Sequence, residues 1–482
     1  MADTKTSDEN PASTLTGAEL VRIVQDGADA RTTTGDIAAL SSSGSDLGWV
    51  VVEGFTDAEM DAAVAAINAS STGGTVFLPM GTYTWTTSKV FTKPVVIRGC
   101  GCGDDNMANA LTTVNFTSAT ADAITFNVDP AHVFDLQLNN TASTTPTAGA
   151  GLHWLGGNGL RMGNVNVNGF WDDYQVDAGA EWFTSNVVAF GPVNYGAYVR
   201  NTALPDGGDQ SFVGWQFIAH TNNAVAGLRY ESGGGFKGVN IKVNQRGSAK
   251  FATGLDIEIA ASAATSDFLL MNSSIENVSG SAIKVRNASG GTLENIIING
   301  VQFSNYGSTV SAIDIAATAD GVFDVLTIDA CDFNIESSTA NCISITNVDK
   351  VAIGLCRQTG HPNLVTLSGV THFANANAAF HTEDLTDGAT IALDLTNSEG
   401  FRLTLAGNHT LANPTNICDG QTGQIRVTQG SGGSHTLTLG SKYKVPGGTL
   451  TLSSAAGALD VLSFQYDATQ DTVVLVPALA FA

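Results

Sequence analysis

Residues 281–285 read SAIKV, residues 311–315 read SAIDI and residues 341–345 read NCISI. The three copies start at residues 281, 311 and 341, so they follow one another at a constant interval of 30 residues. Apolar and polar residues alternate in each copy, which is the pattern of a strand with one buried face. A constant interval of this length indicates stacked structural repeats.

A second strand recurs between these copies, at residues 295–298 leading to 301–303 and again at 325–328 leading to 331–333. Residues 254–259 form a looser, earlier copy of the first strand. The connections carry Asn, Ser, Gly, Thr and Asp, which form tight turns, and show no helical periodicity. One such unit cannot bury its apolar face alone, so the repeat predicts an all-β parallel solenoid.

The composition narrows the class of partner. The 482 residues include 21 basic and 45 acidic ones, for a formal net charge of −24. Nucleic acids and anionic membranes require basic patches, so we expect neither partner. The first 14 residues are polar and no run of about 18 apolar residues occurs, so we expect no secretory signal, no membrane insertion and synthesis in a cytosol.

Six cysteines lack the spacing of a zinc site or of a disulfide framework, and no motif for a cofactor is present. We therefore expect no metal and no cofactor. Cys331 and Cys342 fall on the inward phase of the repeat, where cysteine packs as a small apolar residue. The Cys100-x-Cys102 pair has metal binding and a disulfide as alternatives to simple packing.

The N-terminal region predicts a separate small module over residues 15–40, with strands at 20–24 and 30–33 and a flexible linker at 41–45. A two-stranded unit of this size must dock on something to be stable. Residues 15–21 and 32–37 resemble a short module of bacteriophage tail fibres and tailspikes. The resemblance implies that residues 1–45 attach the protein to virion tail, baseplate or adaptor proteins.

A helix is predicted next, because Thr56-Asp57-Ala58-Glu59 is a capping box and apolar residues follow at helical spacing. It could cover the open end of the solenoid. Residues 73–83 and 95–99 supply Gly-Gly, a strand, a Pro-x-Gly turn and another strand. This order resembles the opening of pectate-lyase-like right-handed β-helices, and implies such a helix over residues 46–375.

Beyond residue 375 the pattern changes to short strands divided by Gly, Asn, Asp and Pro turns, which predicts a β-sandwich-like domain over residues 376–482. Its segments 405–411, 420–423 and 460–467 resemble a C-terminal module of phage tail proteins. The resemblance implies a trimerisation or tip domain and hence a homotrimer.

Residues 110–253 form less regular coils with longer loops and contain four of the six tryptophans, so we expect a ligand surface in this stretch. Glycan hydrolysis needs two carboxyl groups, and aromatic faces beside carboxylates suit sugars. The candidate catalytic residues are Asp173, Glu181 and Asp209. The candidate glycan-binding residues are Trp171, Tyr174, Trp182, Trp215 and Tyr230.

Each candidate also has a plain structural interpretation. Neighbours on a strand point to opposite faces, so Asp172 and Asp173 cannot easily pair with each other, and the carboxylates could be solvated loop groups. Arg229 could serve a lyase but equally an ion pair with Glu231. His153 and His220 could be acids or bases, or could satisfy turns.

The three resemblances stand in the order of a phage tailspike and imply a virion tail protein that binds host cell-surface polysaccharide. The alternative is a depolymerase tailspike, a glycosidase or lyase that cleaves that glycan. A third hypothesis, a non-viral β-helical carbohydrate enzyme, fits less well with the N-terminal module and the missing export signal. The sequence does not decide between binding and cleavage.

Overall fold

The computed structural model describes most of the chain beyond residue 47 and two strands before it. The described residues are 20–25, 28–33, 48–104, 107–156, 159–178, 181–201, 210–221, 223–232, 235–259, 264–287, 290–318, 322–376, 382–396 and 398–481. The chain is nearly all β, with 4% helix, and forms a parallel β-solenoid of about 14 turns. No helix among these residues is long and apolar enough to cross a bilayer.

The elements of the N-terminal part and the first coils are β1 Leu20–Gln25, β2 Ala28–Thr33, β3 Trp49–Val51, α1 Asp57–Ala69, β4 Gly74–Phe77, β5 Gly81–Trp85, β6 Lys89–Phe91, β7 Val95–Arg98, β8 Thr112–Phe116, β9 Ile124–Phe126, β10 Ala131–Asn140, β11 Ala150–Trp154, β12 Arg161–Asn168, β13 Asp172–Val176, β14 Trp182–Phe190, β15 Tyr195–Asn201 and β16 Gln210–Ala219. The later coils contain β17 Ala226–Ser232, β18 Phe236–Val239, β19 Lys242–Gln245, β20 Thr253–Ile259, β21 Ala264–Met271, β22 Ser274–Glu276, β23 Ile283–Asn287, β24 Thr292–Asn299, β25 Gln302–Ser304, β26 Ile313–Ala316, β27 Val322–Asp329, β28 Asp332–Asn334, β29 Ile343–Thr346, β30 Val348–Ile353, β31 Arg357–Thr359, β32 Val365–Ser368 and β33 His372–Asn375. The C-terminal region contains β34 Thr382–Asp384, β35 Thr390–Ile391, β36 Gly400–Leu405, β37 His409–Leu411, β38 Thr422–Gln429, β39 Leu437–Leu439, β40 Tyr443–Lys444, a 3-10 turn Pro446–Gly448, β41 Leu459–Asp467 and β42 Thr472–Phe481.

Three parallel sheets run along the solenoid. The third sheet has eleven strands in the order β32-β29-β26-β23-β20-β17-β15-β13-β11-β9-β6. Each middle coil adds one strand to each of the other two sheets. β18 and β21 pair in the sheet that we call the first, and β19 and β22 pair in the second. The predicted repeat is confirmed, because Ile283 pairs with Ile313 and Ile313 with Ile343 in adjacent coils.

The corner between the first and second sheets needs a residue with positive φ in most coils. These residues are Asp135, Asn164, Asn186, Gly214, Asn240, Asn272, Gly300 and Ala330. Asn, Asp and Gly tolerate that conformation best, which explains much of the Asn and Gly content of the connections. Asn164 also donates from Nδ2 to Asp135 Oδ1 at 3.0 Å, so side chains link successive corners.

The N-terminal end of the solenoid is covered by α1, as predicted. Its capping box is present, with Thr56 and Glu59 bonded in both directions, and Met60 and Ile67 are buried against the first coil. Lys89, whose side chain is fully buried, places Nζ 2.6 Å from Asp57 and 2.7 Å from Asp61 of the helix. The apolar face and this ion cluster together hold the helix on the solenoid.

The N-terminal module contains the predicted hairpin, since β1 and β2 pair antiparallel. The predicted linker at residues 41–45 lies outside the described residues.

The C-terminal region packs a six-stranded and a three-stranded sheet around its own apolar core. Two sheets on one core agree with the expected sandwich-like domain, but β34, β36 and β38 pair parallel, as do β35, β37 and β39. Only β38, β41 and β42 pair antiparallel. The region therefore begins as further coiling and ends as a hairpin-closed sheet. An alternating pattern predicts strands but not their direction, which is why the sequence did not reveal this.

Candidate functional site

Four of the five aromatic residues predicted to bind glycan lie inside the solenoid. Tyr174, Trp182, Trp215 and Tyr230 are 1%, 4%, 2% and 0% exposed. The Tyr174 hydroxyl donates to main-chain oxygens of Val165 and Val188 at 3.1 and 2.9 Å. As a correction, these side chains fill the core and offer no stacking face to a sugar outside, because their strand phase points inward.

The remaining predicted residues lie in different places. Trp171 is half-buried at the turn before β13, and Glu181 is exposed before β14 with a φ of 60°. Asp209 falls outside the described residues. Trp171 and Glu181 remain candidates for contact with a ligand.

Asp173 is fully buried, and this corrects its prediction as a surface carboxylate. Its Oδ1 accepts a hydrogen bond from the Phe170 N–H at 3.1 Å, whereas its Oδ2 has no hydrogen-bond partner among the described residues. Burial raises the pKa of Asp173 well above its usual range, so the site disfavours the charged carboxylate. Asp173 is therefore a structural acid behind the surface.

The outward side of the third sheet carries a continuous row of polar and aromatic residues, which we call the polar face. Its central row, in register from coil to coil, is Thr125, His153, Gln175, Tyr198, Arg229, Asp256, Lys284, Asp314, Ser344 and Thr366. Successive residues stand about 4.8 Å apart, the spacing of adjacent strands. The row follows from the alternation of the repeat, whose apolar phase faces the core.

At the N-terminal part of the polar face, His153 lies between two carboxylates. Its Nδ1 is 2.7 Å from Asp122 Oδ2 and its Nε2 is 3.1 Å from Asp177 Oδ2. Burial alone would lower the pKa of His153, but the two hydrogen-bonded carboxylates raise it to about 9. The imidazole is therefore a fixed cation at neutral pH, unsuited to act as a base.

The pKa values of the two carboxylates that contact His153, Asp122 and Asp177, are lowered. Burial opposes the change, but the hydrogen bonds from His153 and Gln175 lower the pKa of Asp177 to about 2. The pKa of Asp122 is likewise lowered through its bond with His153, against the effect of burial. Asp177 also pairs with Arg200 at 3.1 Å. Both carboxylates stay ionised and cannot donate a proton near pH 7.

Asp172, the neighbour of Asp173 in the sequence, lies beside this group and behaves differently. Burial raises its pKa to about 7, although Asn194 Nδ2 and the Tyr195 N–H donate to its Oδ1 at 3.0 and 3.1 Å. The charges of His153 and Asp122 act on it as well. Asp172 is thus a carboxyl that can hold or release a proton near neutral pH, the property of a general acid.

Further along, the polar face offers aromatic and guanidinium surfaces. The rings of Tyr195 and Tyr198 are 5.0 Å apart, and the Arg200 guanidinium lies 5.6 Å over the Tyr198 ring. The Tyr198 hydroxyl donates to Glu231 at 2.9 Å. Planar groups fixed in this way are suited to bind sugar rings and hydroxyls.

Arg229 holds three carboxylates together. It lies 2.6 Å from Glu231 and 2.8 Å from Asp256, and it also bonds Glu258. These contacts raise the pKa of Arg229 despite its burial. The ion-pair interpretation of Arg229 and Glu231 therefore holds in the structure, and Arg229 stays protonated. A role as a base is excluded by that charge.

Sequence reasoning named His153, Asp172 and Arg229 but did not place them near one another. It assigned no role to Asp122, Asp177 or the pair of tyrosines at 195 and 198. The coil register would have supplied part of the signal, because Tyr198 pairs with Gln175 and Gln175 pairs with His153 in successive coils. His220, the other candidate histidine, is exposed elsewhere and packs on the Phe190 ring.

No group of three or more His, Cys, Asp or Glu residues that could hold a metal occurs in the described part of the chain. The polar face is thus built from side chains that hydrogen-bond and stack.

Comparison with known proteins gives one family match. Residues 387–471 match the phage tail fibre C-terminal domain. The matched residues extend from just before β35 to the turn after β41. A search among curated proteins found no match.

Solved structures that resemble the chain include the following three. ORF18 of Geobacillus virus E2 is 13% identical over 96% of this chain and 81% of its own, with a TM-score of 0.36. The tailspike gp49 of Acinetobacter baumannii bacteriophage Fri1, a capsular polysaccharide depolymerase, is 11% identical over 97% and 84%, with a TM-score of 0.38. The Streptococcus pneumoniae surface protein and adhesin PfbA is 11% identical over 80% and 93%, with a TM-score of 0.31. We draw no functional conclusion from similarity this low.

Proposed function

We propose that the protein is a virion tail component that attaches the phage to its host by binding cell-surface polysaccharide along the polar face. The observation that carries this proposal is the unbroken row from Thr125 to Thr366, which places hydrogen-bonding side chains and the Tyr198 ring at a constant spacing and is at least partly exposed from Gln175 onward. A long polymer of sugars can contact such a row at many places. The match to a tail fibre domain supports the same role.

Each of the three regions of the chain has its own role in this attachment. Residues 1–45 attach the chain to tail or adaptor proteins, residues 46–375 form the receptor-binding solenoid, and residues 376–482 join three copies into a homotrimer. The chain is made in the host cytoplasm and acts at the host surface. Trp171 and Glu181, at turns next to β13 and β14, add contacts to the glycan.

A second candidate function is cleavage of the bound polysaccharide, and Asp172 favours it. A glycosidase needs one protonated and one ionised carboxyl group near the scissile bond. Asp172, a 4% exposed carboxyl with a pKa of about 7, lies beside the ionised Asp122 and Asp177, so both states occur in one group of side chains.

The test compares binding and cleavage in matched variants with host capsule or lipopolysaccharide. Tyr198→Ala removes an aromatic group from the polar face, whereas Phe183→Ala removes a 56% exposed aromatic from the first sheet. We expect Tyr198→Ala to weaken co-sedimentation at least fivefold and Phe183→Ala to leave it unchanged. Equal effects of the two variants would refute the assignment of the polar face.

The same mixtures decide between binding and cutting. New reducing ends that disappear in Asp172→Asn, with co-sedimentation retained, would establish a depolymerase. Intact chains with the wild-type protein would leave an adhesin.

A further inference from the structure

Two cysteines occupy the same position in adjacent coils near the C-terminal end of the solenoid. Ile328 pairs with Ile353 and Asp332 pairs with Arg357, each 25 residues apart (353 − 328 and 357 − 332). Cys331 and Cys356 lie between these pairs and are also 25 residues apart (356 − 331). The Arg357 N–H donates to the Cys331 carbonyl at 2.9 Å, so the two cysteines are neighbours across the ladder.

This placement meets the geometric needs of a disulfide. Adjacent strands are about 4.8 Å apart, within the Cα separation of roughly 4.4–6.8 Å that disulfides span. Both residues follow the corner of their coil, on the same ladder as Ser273 and Val301, which are 5% and 1% exposed. Their side chains therefore point in the same inward direction.

We propose that Cys331 and Cys356 are a thiol modification site that closes to an intramolecular disulfide and staples the last coils of the solenoid. In a reducing cytosol the pair stays as two thiols, and outside a cell it oxidises. The staple joins β28 to β31, a strand whose three residues are all exposed. It therefore strengthens an exposed strand near the C-terminal end of the solenoid.

The chemistry is thiol–disulfide exchange with a low-molecular-weight disulfide as the oxidant. Cys356 lies nearer the surface than the 2% exposed Cys331, between exposed Leu355 and Arg357. The hydrogen bond from Cys331 lowers the pKa of Cys356 and favours its thiolate. The Cys356 thiolate attacks the oxidant and releases one thiolate, then Cys331 loses its proton and displaces the second. The protein loses two hydrogens and the oxidant is reduced to two thiols.

A third thiol, that of Cys342, is the alternative disulfide partner for Cys356. Cys342 is fully buried on the third-sheet side and its thiol donates to Gln358 Oε1 at 3.2 Å. It lies on a different ladder, beside Ala312 rather than beside Val301. We therefore assign the disulfide of Cys356 to Cys331, and Cys342 serves as the matched control.

The test treats the full-length protein with oxidised glutathione, denatures it, alkylates the remaining thiols and measures the intact mass. We expect alkylation to fall from six thiols to four, since one disulfide consumes two. In Cys331→Ser we expect no internal disulfide, and in Cys342→Ser we expect the disulfide to form as in the wild type. Peptide mapping identifies the pair, and amide exchange in β31 slows after oxidation.

Serine is a suitable replacement because the same ladder already accepts it. Ser273 donates to the Met271 carbonyl at 2.8 Å, as Cys331 does to the Asp329 carbonyl at 3.3 Å. Six alkylated thiols after oxidation, a persistent glutathione adduct on Cys356, or a bond that maps to Cys342 would each overturn the proposal. None of these outcomes depends on whether polysaccharide binds.

Discussion

Asp172 and Asp173 are adjacent carboxyl groups with different environments, and this difference defines the site at the residue scale. The Asp172 side chain accepts hydrogen bonds from Asn194 and Tyr195 near the polar face, whereas Asp173 is sealed behind it. The sequence predicted that the two would point to opposite faces. It did not predict that both would be buried, with Asp172 4% and Asp173 0% exposed, because both flanks of the pair are aromatic and do not reveal which phase faces inward.

Asp173→Ala is expected to destabilise the solenoid. The change leaves the Phe170 N–H without its acceptor in a buried site, which costs about 1–3 kcal/mol. Asp173→Asn should cost less, because it keeps an acceptor for the Phe170 N–H and introduces no charge into a buried site that disfavours one. The measurement is the urea midpoint, with the exposed Glu181→Ala as a control that shifts stability by less than about 0.5 kcal/mol. An unchanged midpoint for Asp173→Ala would show that the carboxyl is not buried.

The charge of His153 predicts a pH dependence. Its folded pKa of about 9 lies above the ordinary value of 6.5, so its contribution to stability is complete below about pH 6.5 and is lost as the pH rises through 9. The gap in unfolding free energy between wild type and His153→Gln should be at most roughly 3 kcal/mol at pH 6 and should shrink by pH 10. An NMR titration of labelled histidine measures the pKa directly. A His153 midpoint near 6.5 would rule out the double ion pair.

At the scale of elements, the strands of the 30-residue repeat were predictable from the sequence, and the strands of the less regular coils before it were less so. The copies at 281, 311 and 341 became β23, β26 and β29 in the expected register, because their phase has one solution that buries the isoleucines. The aromatic residues of the less regular coils were misplaced, since a short strand with apolar residues in both phases does not reveal which phase is inward. The buried Trp182 and Trp215 are examples.

The cap helix α1 depends on Lys89. Lys89→Met removes the ammonium group that bridges Asp57 and Asp61 and leaves two carboxylates facing each other. Because these carboxylates remain 23% and 54% exposed, we expect a loss smaller than the roughly 3–5 kcal/mol of a fully buried pair. Hydrogen exchange should speed up in α1 and β6 and stay unchanged in β23 and β26. A uniform change along the solenoid would contradict a local role for this cluster.

At the scale of the whole molecule, the net charge of −24 affects how the protein meets its ligand. Long-range repulsion disfavours an anionic polysaccharide at low salt, and screening removes it. We therefore expect the association rate with an anionic polysaccharide to rise between about 0.01 M and 0.15 M ionic strength. Surface plasmon resonance measures that rate, with a neutral polysaccharide as the control. A steep fall with salt would instead assign the main contacts to arginines such as Arg200.

The most direct test of the central proposal is amide hydrogen exchange of the intact protein with and without polysaccharide from its host. When polysaccharide is bound, we expect slower exchange in β13, β15, β17 and β20 and in the turns beside them, with little change in the strands of the first sheet. Protection confined to residues 387–471, with the polar face unaffected, would contradict it and place the receptor site in the tail fibre domain.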